Sequence, residues 1–169
     1  IDPLMATLRN KNNERTLALI KDLLMLTVAD IMTCPVLQLH EGNSLHDAHY
    51  ITRHRGIRHL PVVNKDTKAI VGVVTQKSLI AKVMSMLVLY GNDALEQHEK
   101  DTNIMEVAVL DFDTVKADEL IRDVAPFFLR NKHGCLPVVD ESNKVIGIVT
   151  STDFVNLSMM LIDKMDQAG

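Results

Sequence analysis

Apolar and polar positions along this chain form a short series of patterns that is run through twice. Ahead of the first run, Leu17, Ile20, Leu23 and Leu24 recur at helical spacing and predict an N-terminal helix within residues 13–26. The apolar stretch 36–39 is short and predicts a strand. Ser44, with Asp47 three residues on, carries the signature of a helix N-cap, and Gly56 is a natural stop for the amphipathic helix between them. The β-branched runs 60–63 and 69–74 flank a polar turn at 64–68, the pattern of a hairpin. A helix over about residues 76–90 closes the first series. The second series opens with a predicted strand at 107–110 and a helix over roughly 117–132 that stops at Gly134. Pro126 inside that helix predicts a kink or an early break. A second hairpin, 136–139 with 145–149 around the turn 140–144, leads to a closing helix over 151–165.

The doubling extends to the residues themselves. Leu60-Pro61-Val62-Val63 recurs 76 positions later as Leu136-Pro137-Val138-Val139. Gly72-Val73-Val74-Thr75 recurs after 75 as Gly147-Ile148-Val149-Thr150, and Asp30-Ile31-Met32 after 73 as Asn103-Ile104-Met105. One unit of order β-α-β-β-α is written twice. The expected divisions are an N-terminal helical segment (1–26), repeat one (27–90), a polar linker (91–101) and repeat two (102–166). A three-stranded sheet with both helices on one face leaves its other face bare and apolar. Two copies cover each other, so the expected fold is α+β with pseudo-twofold symmetry and clefts between the halves.

Composition narrows the function. With 47% apolar and 24% charged residues, the 169-residue chain is ordinary for a globular protein. A net charge of −4, no Trp, four Phe and two Tyr argue against a nucleic-acid surface, basic or base-stacking. Cys34 and Cys135 are too few for a disulfide framework and suit reduced thiols in the cytoplasm. No apolar run approaches the roughly 18 residues of a membrane span, and no signal peptide is visible. The start at Ile1 fits a piece of a larger protein. Five of seven His fall between His40 and His59, and His46 and His49 can share a helical face. None has the companion ligands of a recognised metal site, so no metal is expected. Nor does the pattern assemble a nucleophile, a base and an orienting group, which argues against an enzyme.

Ile31-Met32-Thr33 with Pro35-Val36, His59-Leu60-Pro61-Val62-Val63 and Gly72-Val73-Val74-Thr75 together resemble a cystathionine-β-synthase (CBS) domain. The second copy matches through Leu136-Pro137-Val138-Val139 and the run from Gly147 to Asp153. The whole resembles a tandem CBS pair, or Bateman module, over about residues 28–163. The resemblance implies a regulatory module for an adenosyl ligand: AMP, ADP or ATP foremost, with S-adenosylmethionine or an NAD-type dinucleotide as further members. It also implies a disc-like homodimer beside a transporter, channel or enzyme, with no cofactor and no catalysis of its own.

The same resemblance assigns site residues. In the family the Asp of the Gly-to-Asp motif accepts hydrogen bonds from ribose hydroxyls, and its Thr or Ser binds ribose or phosphate. These roles fall to Asp153 and Thr150, with Ser151 and Thr152 adjoining. Thr150 and Asp153 are also spaced as a helix cap and its partner, so one carboxylate can serve either role. Copy one has Ser78 in place of the Asp, so its site, with Thr33, Pro35, His59 and Thr75, is expected to be the weaker. The principal site is expected in copy two, with adenine between Val107, Ala108 and Val109 on one side and Gly134, Cys135 and Leu136 on the other. Arg55 and Arg58, in the basic stretch 53–59, are candidates for phosphate, as are Lys132 and His133 in copy two. The alternative for these cations is to complement a helix dipole in solvent. For the module as a whole, the alternative is a ligand-free dimerisation or interaction unit.

Overall fold

The computed structural model of the chain describes residues 13–130 and 134–167. Helix α1 (Asn13–Leu24) leads into the one-turn helix α2 (Val28–Ile31). Repeat one follows as β1 (Leu39–His40), α3 (Leu45–Arg55), β2 (His59–Val63), β3 (Ile70–Thr75) and α4 (Gln76–Tyr90). Helix α5 (Asn92–Asp101) and a 3-10 turn at Ile104–Glu106 lead into α6 (Ile121–Arg130), β4 (Cys135–Val139), β5 (Val145–Thr150) and α7 (Ser151–Gln167). The fold is α+β with an N-terminal helix and two like repeats, as the sequence predicts.

The two hairpins are near copies. In each the strands pair antiparallel, His59 opposite Thr75 and Cys135 opposite Thr150, with a register shift at Val62/Val63 and again at Val138/Val139. Helix α3 is bounded as expected. Ser44 Oγ accepts from the Asp47 N–H at 3.2 Å, the Ser44 N–H donates to the Asp47 carboxylate at 2.9 Å, and Gly56 ends the helix at a φ of 64°. Burial alone would raise the Asp47 carboxyl, but the Ser44 N–H and the Asn43 amide outweigh it and hold its pKa below the ordinary value.

Three local expectations need correction. Residues 107–110 form no strand; the counterpart of β1 in repeat two is Val115, which bridges Val138 in parallel as Leu39 does Val62. The polar segment expected to link the repeats is helical over residues 92–101, and α5 packs on α3 and α4. There Glu99, 4% exposed, meets His49 Nδ1 at 2.8 Å, and Glu96 lies 4.0 Å from His46. A paired, buried carboxylate thus ties this polar segment to the body. Helix α6 begins at Ile121 because residues 116–119 close a turn in which Glu119 Oε1 accepts the Lys116 N–H. Pro126 does not break it: the ring is on the exposed side, where the freed carbonyl one turn back meets water.

Each repeat borrows the segment that precedes the other. Thr27 bridges Leu120, and Asn103 bridges Ser44. Farther along, Thr33 bridges Ile148 of β5, and Val109 bridges Val73 of β3. Val28 is therefore a core residue of repeat two, packed with Val124, Leu136, Val138 and Val149. Ile104 and Val107 belong to the core of repeat one, with Leu45, Leu60 and Leu79. The crossing explains the repeated glycine. A Cβ on Gly147 would collide with Met32 Sδ, and one on Gly72 would lie 3.2 Å from Ala108 Cβ. It also replaces the offset of 73 at the start of the repeats with 76, since Val28 stands where Ile104 does and Thr33 where Val109 does. Between the repeats the bare sheet faces meet, Val63 with Val139 and Val73 with Ile148.

Candidate functional site

Strand β5 ends at Thr150, where α7 begins, so this junction presents helix N-H groups and short polar side chains together. Asp153, in the first turn of α7, accepts at one carboxylate oxygen from the Thr150 N–H (2.7 Å) and the Thr150 hydroxyl (3.1 Å). Its other oxygen accepts from the Thr33 hydroxyl at 3.2 Å. Thr33 is held there by a reciprocal backbone pair with Ile148, N–H to O at 2.9 and 3.1 Å. Thr33, Cys34, Pro35, Ser151 and Thr152 are exposed, while Thr150 and Asp153 are half-buried. The result is a set of exposed polar groups gathered around one carboxylate acceptor, Asp153.

This geometry regroups the expected site residues. Thr33, assigned by sequence to a weaker first-repeat site, shares a hydrogen bond with Asp153 of the second. His59 follows it: a Cβ on Gly134 would lie 3.8 Å from His59 Nε2. Conversely, Val107 and Ala108 are not opposite Gly134 and Leu136. They pack on repeat one, because the segment that carries them crosses over. Val109 and Cys135 do border one small cavity, but they share it with Thr75, not with Thr150 or Asp153. Its volume is about 10 Å³, with Phe112 and Phe127 in its walls, room for at most one water. Leu136, 1% exposed, faces the helices inside repeat two and lines no cleft. Ser78 is absorbed in a reciprocal cap with Thr75, at 3.0 and 3.3 Å.

Sequence reasoning missed the two phenylalanines and the crossing that pairs Thr33 with Asp153. The signal for the crossing was the duplicated glycine, since Gly inside a strand marks another backbone or side chain lying close.

Among the cationic candidates, Arg55 lies exposed in the last turn of α3. The Arg58 carbonyl accepts the Gln76 N–H at 2.7 Å, which places that residue beside Thr75 and Ser78. Lys132 and His133 fall outside the described residues. Cys135 is buried between the sheets, and burial pushes its thiol up to about 12, so it stays protonated and inert. Among the described residues no cluster of three or more His, Cys, Asp and Glu could hold a metal ion. No described helix is long and apolar enough to cross a membrane.

Comparison with known proteins identifies the family. The CBS domain family matches residues 28–85 and again 103–159. The chain belongs to the CBS domain family, as a tandem pair. Homoserine O-acetyltransferase of Methanococcoides burtonii is 36% identical over 131 residues, 78% of this chain but 24% of that enzyme. The chain thus spans about a quarter of the curated relative it matches. Among solved structures, the CBS domain pair of protein MJ0100, in complex with 5′-methylthioadenosine and S-adenosyl-L-methionine, is 29% identical with a TM-score of 0.63. That likeness covers 79% of this chain and 95% of the other. CBSX2 of Arabidopsis thaliana, in complex with AMP, is 26% identical with a TM-score of 0.66, covering 80% and 97%. Both are CBS pairs solved with adenosyl compounds, and the chain matches each over nearly its full length.

Proposed function

We propose that this CBS pair senses an adenosyl ligand in the cleft between Thr33-Cys34-Pro35 and Thr150-Ser151-Thr152-Asp153. The observation that carries the reading is the Thr33 to Asp153 hydrogen bond. It brings Thr33 of copy one to the carboxylate that the family resemblance assigns to ribose in copy two, which supports one shared site in place of two incomplete ones. AMP, ADP and ATP are the leading ligands; S-adenosylmethionine and NAD-type dinucleotides share the adenosine that such a cleft would read. Occupancy would bias the packing of the repeats and pass that bias to an attached or separate enzyme or transporter, the module itself catalysing nothing. A melt of the chain with each of these ligands tests the reading. At about 100 times its dissociation constant, a ligand adds roughly 2.7 kcal/mol, which raises the melting temperature by several degrees. Indifference to the whole panel at millimolar concentration would overturn it and leave the ligand-free interaction module.

The homodimer is a companion proposal. Ile80 and Met84 on α4, and Val155 and Met159 on α7, are each more than half exposed. Each pair sits one helical turn apart, at equivalent places in the two repeats. Two matching apolar stripes suit a second copy with the same stripes reversed. Sedimentation should give a dimer that Met84→Lys with Met159→Lys converts to monomer; a monomeric parent chain refutes the idea.

A further inference from the structure

Helix α1 does not lie flush on the body. Between it and α7 runs a groove of about 260 Å³, bounded by Leu19 and Leu23 of α1, Ile31 of α2, and Leu157 and Leu161 of α7. Its charged rim is lopsided: Asp22, Asp30 and Asp153 against Lys164. We propose that this groove is a second ligand site, for a small amphiphilic cation, an amine carried on a short apolar body. The volume lies just below the roughly 300–1,000 Å³ of ordinary ligand pockets, which suits a compact molecule and not a partner's helix. The leucine walls take the apolar body. The rim selects the charge. Among the described residues the Asp22 carboxylate has no hydrogen-bond or ion-pair partner. One oxygen of Asp30 accepts from the Thr27 N–H and hydroxyl, at 2.7 and 2.9 Å, leaving the other open. Those two donors hold the Asp30 carboxyl below its ordinary pKa, so it presents a full charge at neutral pH. An ammonium at this rim would be attracted by the Asp22 and Asp30 carboxylates, whereas a carboxylate would be repelled.

The groove touches the nucleotide cleft in two ways. Asp153 is a wall of both, and Ile31 is two residues from Thr33. A cation in the groove would therefore alter adenosyl affinity, a coupling that rests on the nucleotide reading, although binding in the groove does not.

The test is a methyl NMR titration, without nucleotide, using n-hexylammonium against hexanol and hexanoate at constant ionic strength. Saturable shifts at Leu19, Leu23, Leu157 and Leu161 are expected with hexylammonium, about tenfold weaker binding with hexanol, and none with hexanoate. Asp22→Asn, on the exposed side of α1, should weaken binding severalfold, and Leu157→Trp should abolish it by filling the groove. Equal binding of hexanol, no saturable shift, or shifts that follow protein concentration in place of amine each overturns the site. A repeat with AMP reads the coupling separately: an AMP affinity changed severalfold by the amine supports it, and an unchanged affinity overturns the coupling alone.

Discussion

Ile104→Ala is expected to lower the stability of the chain by about 3 kcal/mol, as truncation of a fully buried isoleucine does. The informative part is where the damage falls. Ile104 precedes repeat two in the chain, yet it is 0% exposed within the core of repeat one, against Leu45, Leu60 and Leu79. Its N–H donates to the Asn43 carbonyl at 2.9 Å, which fixes the segment across the start of α3. Hydrogen exchange in Ile104→Ala should therefore quicken first in β2, β3 and α4, while β4 and β5 keep most of their protection. Val28→Ala should do the reverse, since Val28 sits in the core of repeat two. Chemical denaturation gives the total, and exchange gives its distribution. A loss under 1 kcal/mol, or exchange quickened in repeat two by Ile104→Ala, would mean that the crossing segments only overlie the cores.

That crossing marks the boundary of what the residues alone disclose. The hairpins and closing helices were legible because their signals are local: β-branched runs, polar turns, and cap spacings at Ser44 and Thr150. The doubling was legible from duplicated tetrapeptides. Which copy a segment packs on is a tertiary matter, and short segments such as 31–36 and 107–110 suit either sheet equally well. Keeping each segment on its own repeat gave Thr33 to one cleft and Asp153 to another, although the two share a hydrogen bond. The helicity of α5 was hidden for a related reason. Its polar composition reads as linker until Glu99 is seen to find His49 across the fold.

Asp153→Ala should remove adenosyl binding from the chain, lowering AMP affinity about 100-fold. The figure follows from losing two hydrogen bonds between ribose hydroxyls and a charged acceptor, at roughly 1.5–3 kcal/mol each, partly offset by solvent in an open cleft. The competing role of Asp153 is to cap α7 through the Thr150 N–H, and its loss alone would cost about 1 kcal/mol of stability without touching affinity. Asp153→Asn separates the two roles, since an amide oxygen still accepts from that N–H but lacks the charge. It should melt close to the parent and bind AMP weakly. Thr33→Val is the sharper variant, because it changes a residue of copy one 120 positions away. AMP affinity should fall severalfold if the cleft is shared and stay put if each copy builds its own. In copy one, Ser78→Ala should leave affinity within about twofold, and even Ser78→Asp should keep the stoichiometry at one ligand per chain. Phe112 and Phe127 already wall the matching space down to about 10 Å³, so a carboxylate there would have no ribose to meet. Full-affinity binding by Asp153→Ala would reduce that residue to a helix cap and move the ligand elsewhere in the pair.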